Sequence, residues 1–470
     1  VKRISGGARD RTRPAESGRA RVGTRTILVG VAVLAACAGA AALVATRWHA
    51  AARPNVLLLV MDTTRGDRCS VGGYPRPTTP RLDEFAKDAV VFRDAWSPAN
   101  WTAPAHASLF SGLRVEHHGM HRGNRRYLPD GFTTLAERFA AAGWSTACFT
   151  NNSIISSDFG LTQGFGTVVP LYERHDLPYP WARTTHEEAA AWAETEAKAG
   201  RPFFLFVNDM EPHIPYTPLP EMAARFVRGT PTPEEAAAAS SWEYPHTIGY
   251  SVHAEELTDA QRDLLSDLYD AEIATLDAEI GVLFDRLRAD GLLDSTLVVV
   301  VGDHGENLGE HHLFEHSLGL HRTLLHVPLV ARLPGKFDRG RVVGDVVRLE
   351  DVFPTVLETC GLSVPPDTDG VALDRDLPGR IARAVQYPQE DRREGIEKLY
   401  GALPAVTPLL RGVESAYDGR FHFMRYSDGA EELFDVGEDP GETRDLHAAR
   451  PDVVTRLRAA LAPADGEGTK

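Results

Sequence analysis

Cysteine is scarce in this chain. Four stand in 470 residues, at Cys37, Cys69, Cys148 and Cys360, and no pair has C-x-x-C spacing. With Cys37 inside an apolar run, the other three leave an odd thiol, so no disulfide framework is implied. Repeats at solenoid periods are absent. Gly and Pro are plentiful but dispersed, which excludes collagen-like and low-complexity classes. Surplus positive charge is missing too: Lys+Arg 50 against Asp+Glu 66 gives a net charge of −16. That balance argues against nucleic acid as a partner. Hydrophobic content of 43% and charged content of 25% describe an ordinary globular protein, long enough for one large α/β domain or two unequal ones.

Long, predominantly apolar runs are absent with one exception, the uncharged "TILVGVAVLAACAGAAALVAT" over residues 26–46. As a helix at about 1.5 Å per residue it spans roughly 30 Å, the thickness of a bilayer core. Eight basic residues precede it (Lys2, Arg3, Arg9, Arg11, Arg13, Arg19, Arg21, Arg25) against Asp10 and Glu16. A basic flank predicts an amino terminus in the cytoplasm and a body outside it, held at the cell membrane by one span. Two other readings stay open. The run is a cleaved secretory signal, or "LAAC" ending at Cys37 is a lipoprotein attachment site.

The body alternates strand and helix patterns. "PNVLLLVMD" (54–62), "PFFLFVND" (202–209) and "STLVVVVGDHGE" (295–306) read as strands buried on both faces of a parallel sheet. Helical patterns cover 80–92, 133–144 and about 258–290, the last opening on a Thr258–Gln261 capping box. The fold class predicted is α/β: a mostly parallel central sheet flanked by helices, with a smaller α+β carboxy-terminal part. Residues 224–256 read as an insertion over one face, and turns are expected at "DGR" (418–420) and within "SDGAEELFD" (427–435).

Ligands of such sheets sit beyond the carboxyl ends of the strands. Asp62, Asp303 and His304 fall at those ends, and hard carboxylate ligands with one imidazole suit Ca²⁺, Mg²⁺, Mn²⁺ or Zn²⁺. In "NWTAPAHASLFSG" (100–112), Pro104 sits in the first turn of a helix and Thr102 at its positive end. A hydroxyl there is either a plain cap or an activated nucleophile.

These stretches resemble the sulfatase family, within the alkaline phosphatase superfamily, over about residues 54–450. "NVLLLVMDTTRGDRCSVGGYPRPTTPRLDEFA" is similar to the family's opening metal-binding strand and loop. Residues 269–314, ending "GDHGENLGEHHLF", are similar to its long helix, strand and second metal motif. "VPLV" (327–330) and "ELFDVGEDPGETRDL" (432–446) are similar to later landmarks. The organisation expected is a basic tail over 1–25, an anchor over 26–46, a catalytic domain similar to the family's over 54–340 and a smaller subdomain over 341–470. The resemblance implies one divalent ion, Ca²⁺ by family or else Mn²⁺ or Zn²⁺, on Asp62, Asp303, His304 and Thr102. Thr102 matches the nucleophile. His213 matches a histidine on the substrate's anionic group or leaving oxygen, Asn124 a polar substrate contact, and His316 a position where many members have lysine. Thr63 stands where many members have a second carboxylate.

The family pattern at the nucleophile is Cys or Ser, any residue, Pro, any residue, Arg, with the first residue oxidised to formylglycine. Here it runs Thr102-Ala103-Pro104-Ala105-His106. Threonine does not yield that aldehyde, so no formylglycine is expected, and His106 replaces a fixed cation. The implied substrate is an anionic ester. A threonine ester of phosphorus is open to water, whereas a sulfate ester of threonine lacks formylglycine's hemiacetal exit. Phosphate or phosphonate is therefore preferred over sulfate. A membrane-anchored phosphoryl head-group transferase and a catalytically degenerate glycan or phospholipid binder stay open. Asp209 and His213, four apart, with His316 are a second-metal alternative. His117, His118, His311 and His312 read as loop or packing residues. Nothing in the sequence sets the oligomeric state.

Overall fold

The computed structural model describes residues 53–461 apart from 123–124, 317, 338 and 376–377. The basic tail, the apolar run and Asn124 lie outside the described residues. Among the described residues, no helix is long and apolar enough to cross a membrane.

The chain is α/β. Strands β1 (Asn55–Met61), β2 (Val90–Trp96), β3 (Ser145–Thr150), β4 (Thr167–Pro170), β5 (Phe203–Asp209) and β6 (Thr296–Val301) belong to one large sheet. A two-stranded hairpin, β7 (Asn307–Leu308) and β8 (Phe314–Glu315), follows. Then β9 (His326–Val327), β10 (Leu329–Arg332) and β11 (Arg341–Arg348) return to the large sheet. Its order is β11-β2-β10-β6-β1-β5-β3-β4, with β9 beside β2. The pairs β1–β5, β1–β6, β3–β5, β3–β4 and β2–β11 are parallel. Only β9 and β10 run against their neighbours.

The apolar runs become strands because both faces are covered. Successive side chains of a strand point to opposite faces. Leu58, Val60, Phe204, Phe206 and Val299 therefore fall in one hydrophobic layer. Leu57, Leu59, Leu205, Val207, Val298 and Val300 fall in the other. Helix α1 (Thr102–Ser111) packs on the first layer through Ala103, Ala105, Ala107, Leu109 and Phe110. On the second lies a longer helix through Tyr269, Ile273, Leu276, Ile280 and Phe284. Between them in sequence, α2 (Trp181–Lys198) adds Ala182, Ala189, Ala190 and Ala193 to that second layer. The longer helix is α3 (Asp259–Ala289), and the Thr258–Gln261 capping box closes its amino end as expected.

One expectation is corrected. The helix predicted over 80–92 stops early: a helix covers Pro80–Phe85 and β2 begins at Val90. Val90 and Val91 are β-branched and pair with β10 and β11, so sheet contacts outweigh the continuing helical pattern. β11 follows residue 340 and is an integral part of the large sheet. The smaller antiparallel sheet comprises β12 (Ala382–Gln386), β13 (Val413–Tyr417), β14 (Phe421–Tyr426) and β15 (Glu431–Asp435), in that order. The β13–β14 and β14–β15 connections fall at the two turns predicted. The helix Pro451–Leu461 covers one of its faces through Val453, Val454 and Leu457. Cys69, Cys148 and Cys360 are free and buried.

Candidate active site

Register carries the polar residues to one edge. Met61 pairs with Asp209, Val60 with both Asn208 and Val301, and Thr150 with Asn208. The chain therefore leaves β1, β3, β5 and β6 at a shared level. The residues just beyond, Asp62, Asn152 and the Asp303-His304 pair, meet over the carboxyl edge.

Asp62, Asp303 and His304 are fully buried and offer ligand atoms within 4.8 Å of one another. Each carboxylate is tethered by one oxygen. Asp62 Oδ2 accepts from Asn152 Nδ2 at 2.7 Å and Asn208 Nδ2 at 3.2 Å. Asp303 Oδ1 accepts from the backbone N–H of His304 at 2.8 Å and of Thr63 at 3.2 Å. The other oxygens, Asp62 Oδ1 and Asp303 Oδ2, are buried without a hydrogen-bond partner. His304 Nδ1 donates to Gly305 O at 3.0 Å, which leaves Nε2 facing Asp303 Oδ2 at 3.3 Å and Asp62 Oδ1 at 3.8 Å. A neutral imidazole there sets a lone pair against two carboxylate oxygens. A divalent cation resolves that arrangement, and the donor set fits one.

Electrostatics of the pair agree. Burial pushes Asp62 up, but positive charge at its edge, from the His304 side first, and the Asn152 hydrogen bond hold it below its ordinary value. Burial and then the Asp62 charge push Asp303 well above the usual carboxylate range. Two buried carboxylates this close share one negative charge comfortably and two only with a counter-ion.

Thr102 is the first residue of α1, with Trp101 at the cap position in extended backbone. Its Oγ1 lies 3.4 Å from His304 Nε2 and 3.4 Å from Asn152 Nδ2. α1 ends at Gly112, whose φ of +71° and approach to Phe353, 2.6 Å from where a Cβ would stand, exclude larger residues. His106, one turn into α1, donates from Nδ1 to Thr102 O at 2.9 Å and lies 3.5 Å from Asp303 Oδ2. Burial pushes it down to about 4, so it is neutral. Its ring packs edge-on to Phe110 and Phe206.

His213 and His316 complete the cluster. Their rings are 5.0 Å apart, and the His316 ring is 4.6 Å from that of His304. His213 Nδ1 donates to Ile214 O at 2.7 Å. Burial, then His304 and His213, push His316 well below its ordinary value. Its Nδ1 is 3.3 Å from Glu306 Oε1, and burial pushes Glu306 up to about 8. Asp209 turns instead to His186 of α2, at 2.8 Å. Among the described residues, no metal-capable group contains Asp209, His213 or His316.

Thr63 has φ +55°, a left-handed conformation that costs a β-branched residue. Its N–H serves Asp303, its carbonyl accepts from Tyr269 Oη at 2.7 Å, and its own hydroxyl is buried without a partner. Of the other histidines, His117 bonds Asp369 and His118 bonds Ser108. His312 stacks on Tyr250 and His253. His311, read from sequence as a loop or packing residue, stacks on His321. Sequence reasoning missed Asn152, Asn208, Glu306 and Tyr269. The first two carry a usable signal: polar residues in "CFTNN" and "FVND", at the exits of buried strands.

Comparison with known proteins gives the family. The family model described as Sulfatase matches residues 54–362, and that described as N-sulphoglucosamine sulphohydrolase, C-terminal, matches 309–464. The chain belongs to the sulfatase family and is a sulfatase-like ester hydrolase. It is 26% identical to Arylsulfatase K of Bos taurus, over 87% of this chain and 81% of that protein. It is 25% identical to an ulvan-active sulfatase of Formosa agariphila, over 84% of this chain and 77% of that one. The phosphonate monoester hydrolase of Agrobacterium radiobacter shares the fold at a TM-score of 0.67 and 23% identity, covering 87% of this chain and 94% of its own.

Proposed function

We propose that the chain hydrolyses an anionic ester with Thr102 as an unmodified nucleophile, and that phosphate or phosphonate esters are preferred to sulfate. The observation that carries this is the position of Thr102 Oγ1, 3.4 Å from His304 Nε2 beside the two unpartnered carboxylate oxygens. Thr102 takes the formylglycine position of the family, and neutral His106 takes that of its arginine.

A divalent cation on Asp62, Asp303 and His304, Ca²⁺ by family or else Mn²⁺ or Zn²⁺, supplies positive charge that favours ionising a neighbouring hydroxyl and offsets charge developing on the ester. The residues do the rest. The backbone N–H groups of Thr102 and Ala103, at the amino end of α1, hold an ester oxygen. Asn152 orients Thr102 Oγ1 against Asp62. Thr102 Oγ1 bonds to phosphorus as the bond to the alcohol breaks. The hydroxyl proton passes to water, and the departing oxygen takes one from His213. Water then attacks phosphorus, gives one proton back to His213 and displaces Thr102 Oγ1, which takes a proton from solvent water. Neutral His316 lines this space, and Asn124 is assigned a substrate contact by family resemblance.

A p-nitrophenyl panel of sulfate, phosphate monoester, diester and phosphonate, with Ca²⁺, Mn²⁺ or Zn²⁺ added, tests the preference. The expected result is faster turnover of a phosphorus ester; dominance of the sulfate overturns it.

The uncharged run at 26–46 supports single-pass anchoring with the catalytic body outside the cytoplasm. Alkaline carbonate extraction of membranes should leave the chain in the pellet. A palmitate label lost with Cys37→Ser would assign a lipoprotein instead.

A further inference from the structure

A group of side chains able to hold a metal ion shares no residue with the carboxylates of the active edge. His311, His321 and Glu442 offer ligand atoms within 4.8 Å of one another. They come from three separate places. His311 is at the tip of the β7–β8 hairpin, His321 is on the segment after it, and Glu442 is on the loop beyond β15. All three line one cavity of about 580 Å³.

The donors are prepared for a cation. Glu442 is almost fully buried, and its two oxygens are spoken for only by imidazoles and one amide. Oε1 accepts from His422 Nδ1 at 2.5 Å. Oε2 accepts from the Arg322 N–H at 2.8 Å and lies 3.2 Å from His321 Nδ1. None of those partners is a guanidinium or an ammonium. The His422–Glu442 bond is the kind of outer support that orients a ligating carboxylate. His311 adopts φ +54° and Glu442 φ +52°, two left-handed backbones that bring these side chains to the same place.

We propose that His311, His321 and Glu442 bind a transition-metal cation of the Zn²⁺ class, with the fourth position open to the cavity. Two imidazoles and one carboxylate are the donor set of open zinc sites and are too nitrogen-rich for Ca²⁺ or Mg²⁺. The His311 and His321 rings stack at 3.5 Å and 5°. Converging on bonds of about 2 Å takes a rotation of the His311 ring, which lines the cavity. The cation ties the hairpin tip to the loop after β15. That hairpin leaves from Asp303-His304 and delivers His316, so the tie steadies one wall of the active site.

The test uses the full chain stripped of metal and titrated with Zn²⁺ against a chromophoric chelator, with thermal unfolding alongside. His311→Gly removes the ligand while glycine accepts the left-handed backbone without strain. His312→Gln, the neighbouring change, leaves all three ligands. Wild type and His312→Gln are expected to hold one equivalent of Zn²⁺ that His311→Gly binds at least roughly 100-fold more weakly, a larger loss than that of an outer-shell partner. His311→Gly is also expected to unfold, without metal, no lower than wild type, and to lose part of the Zn²⁺-induced rise in Tm. Equal stoichiometry and affinity in wild type and His311→Gly overturns the proposal, as does loss of the same equivalent in Asp62→Asn alone.

Discussion

Asn152 donates to Asp62 Oδ2 at 2.7 Å, and the same amide nitrogen lies 3.4 Å from Thr102 Oγ1. One side chain thus fixes a carboxylate and a hydroxyl against each other. Asn152→Ala should lower kcat on the order of 10²-fold, the usual cost of one well-placed polar group, and weaken the divalent cation roughly 10-fold. Steady-state kinetics and a metal titration check both effects. An unchanged kcat would mean that Thr102 is oriented without it.

His106→Arg tests the proposed reading of His106 as the neutral stand-in for a family arginine. The native ring is fully buried between Phe110 and Phe206, so a guanidinium has to displace packing and compete with the cation for Asp303. The expected result is a loss of about 3 kcal/mol or more of stability, weaker metal binding and no gain of sulfate hydrolysis. Denaturant melts and the ester panel measure it.

Thr63→Asp adds a carboxylate beside Asp303 on a left-handed backbone that Asp tolerates better than Thr. Ca²⁺ affinity should rise on the order of 10-fold, because affinity follows the count of charged ligands. Calorimetric titration decides, and unchanged affinity would place the Thr63 side chain outside the metal's reach.

Acid should destabilise the chain through buried neutral histidines remote from the metal residues. Burial pushes His118 down to about 3 and His326 to about 4. The unfolded chain binds the proton first, near pH 6.5, so stability is full above that value. It falls as pH drops toward the folded values, by about 1.4 kcal/mol per pH unit for each group. Urea melts from pH 7 to pH 5 should show His118→Gln losing stability less steeply than wild type, by about that slope. Parallel curves would contradict the assignment.

The buried strands were legible because β1, β5 and β6 are apolar without interruption. Asp62, Asp303 and His304 were legible because they terminate those runs. The strand at Val90 was not, since the helical spacing of Leu82 and Phe85 continues through it and only pairing with β10 and β11 decides the outcome. Asn152 was hidden for a related reason. Its nearness to Asp62 depends on β5 lying between β1 and β3, and no spacing along the chain encodes strand order. Glu442 sits 121 residues from His321, so their meeting is a property of the fold alone.

Turnover by Thr102→Ala tests the central claim most directly, measured on the favoured ester of the panel with the cation-induced rise in Tm as a control for the metal site. The predicted result is a fall in kcat of at least roughly 10⁴-fold with the Tm rise retained, as expected on removing a nucleophile. Turnover within about 10-fold of wild type, with the cation still bound, would contradict Thr102 as the attacking group.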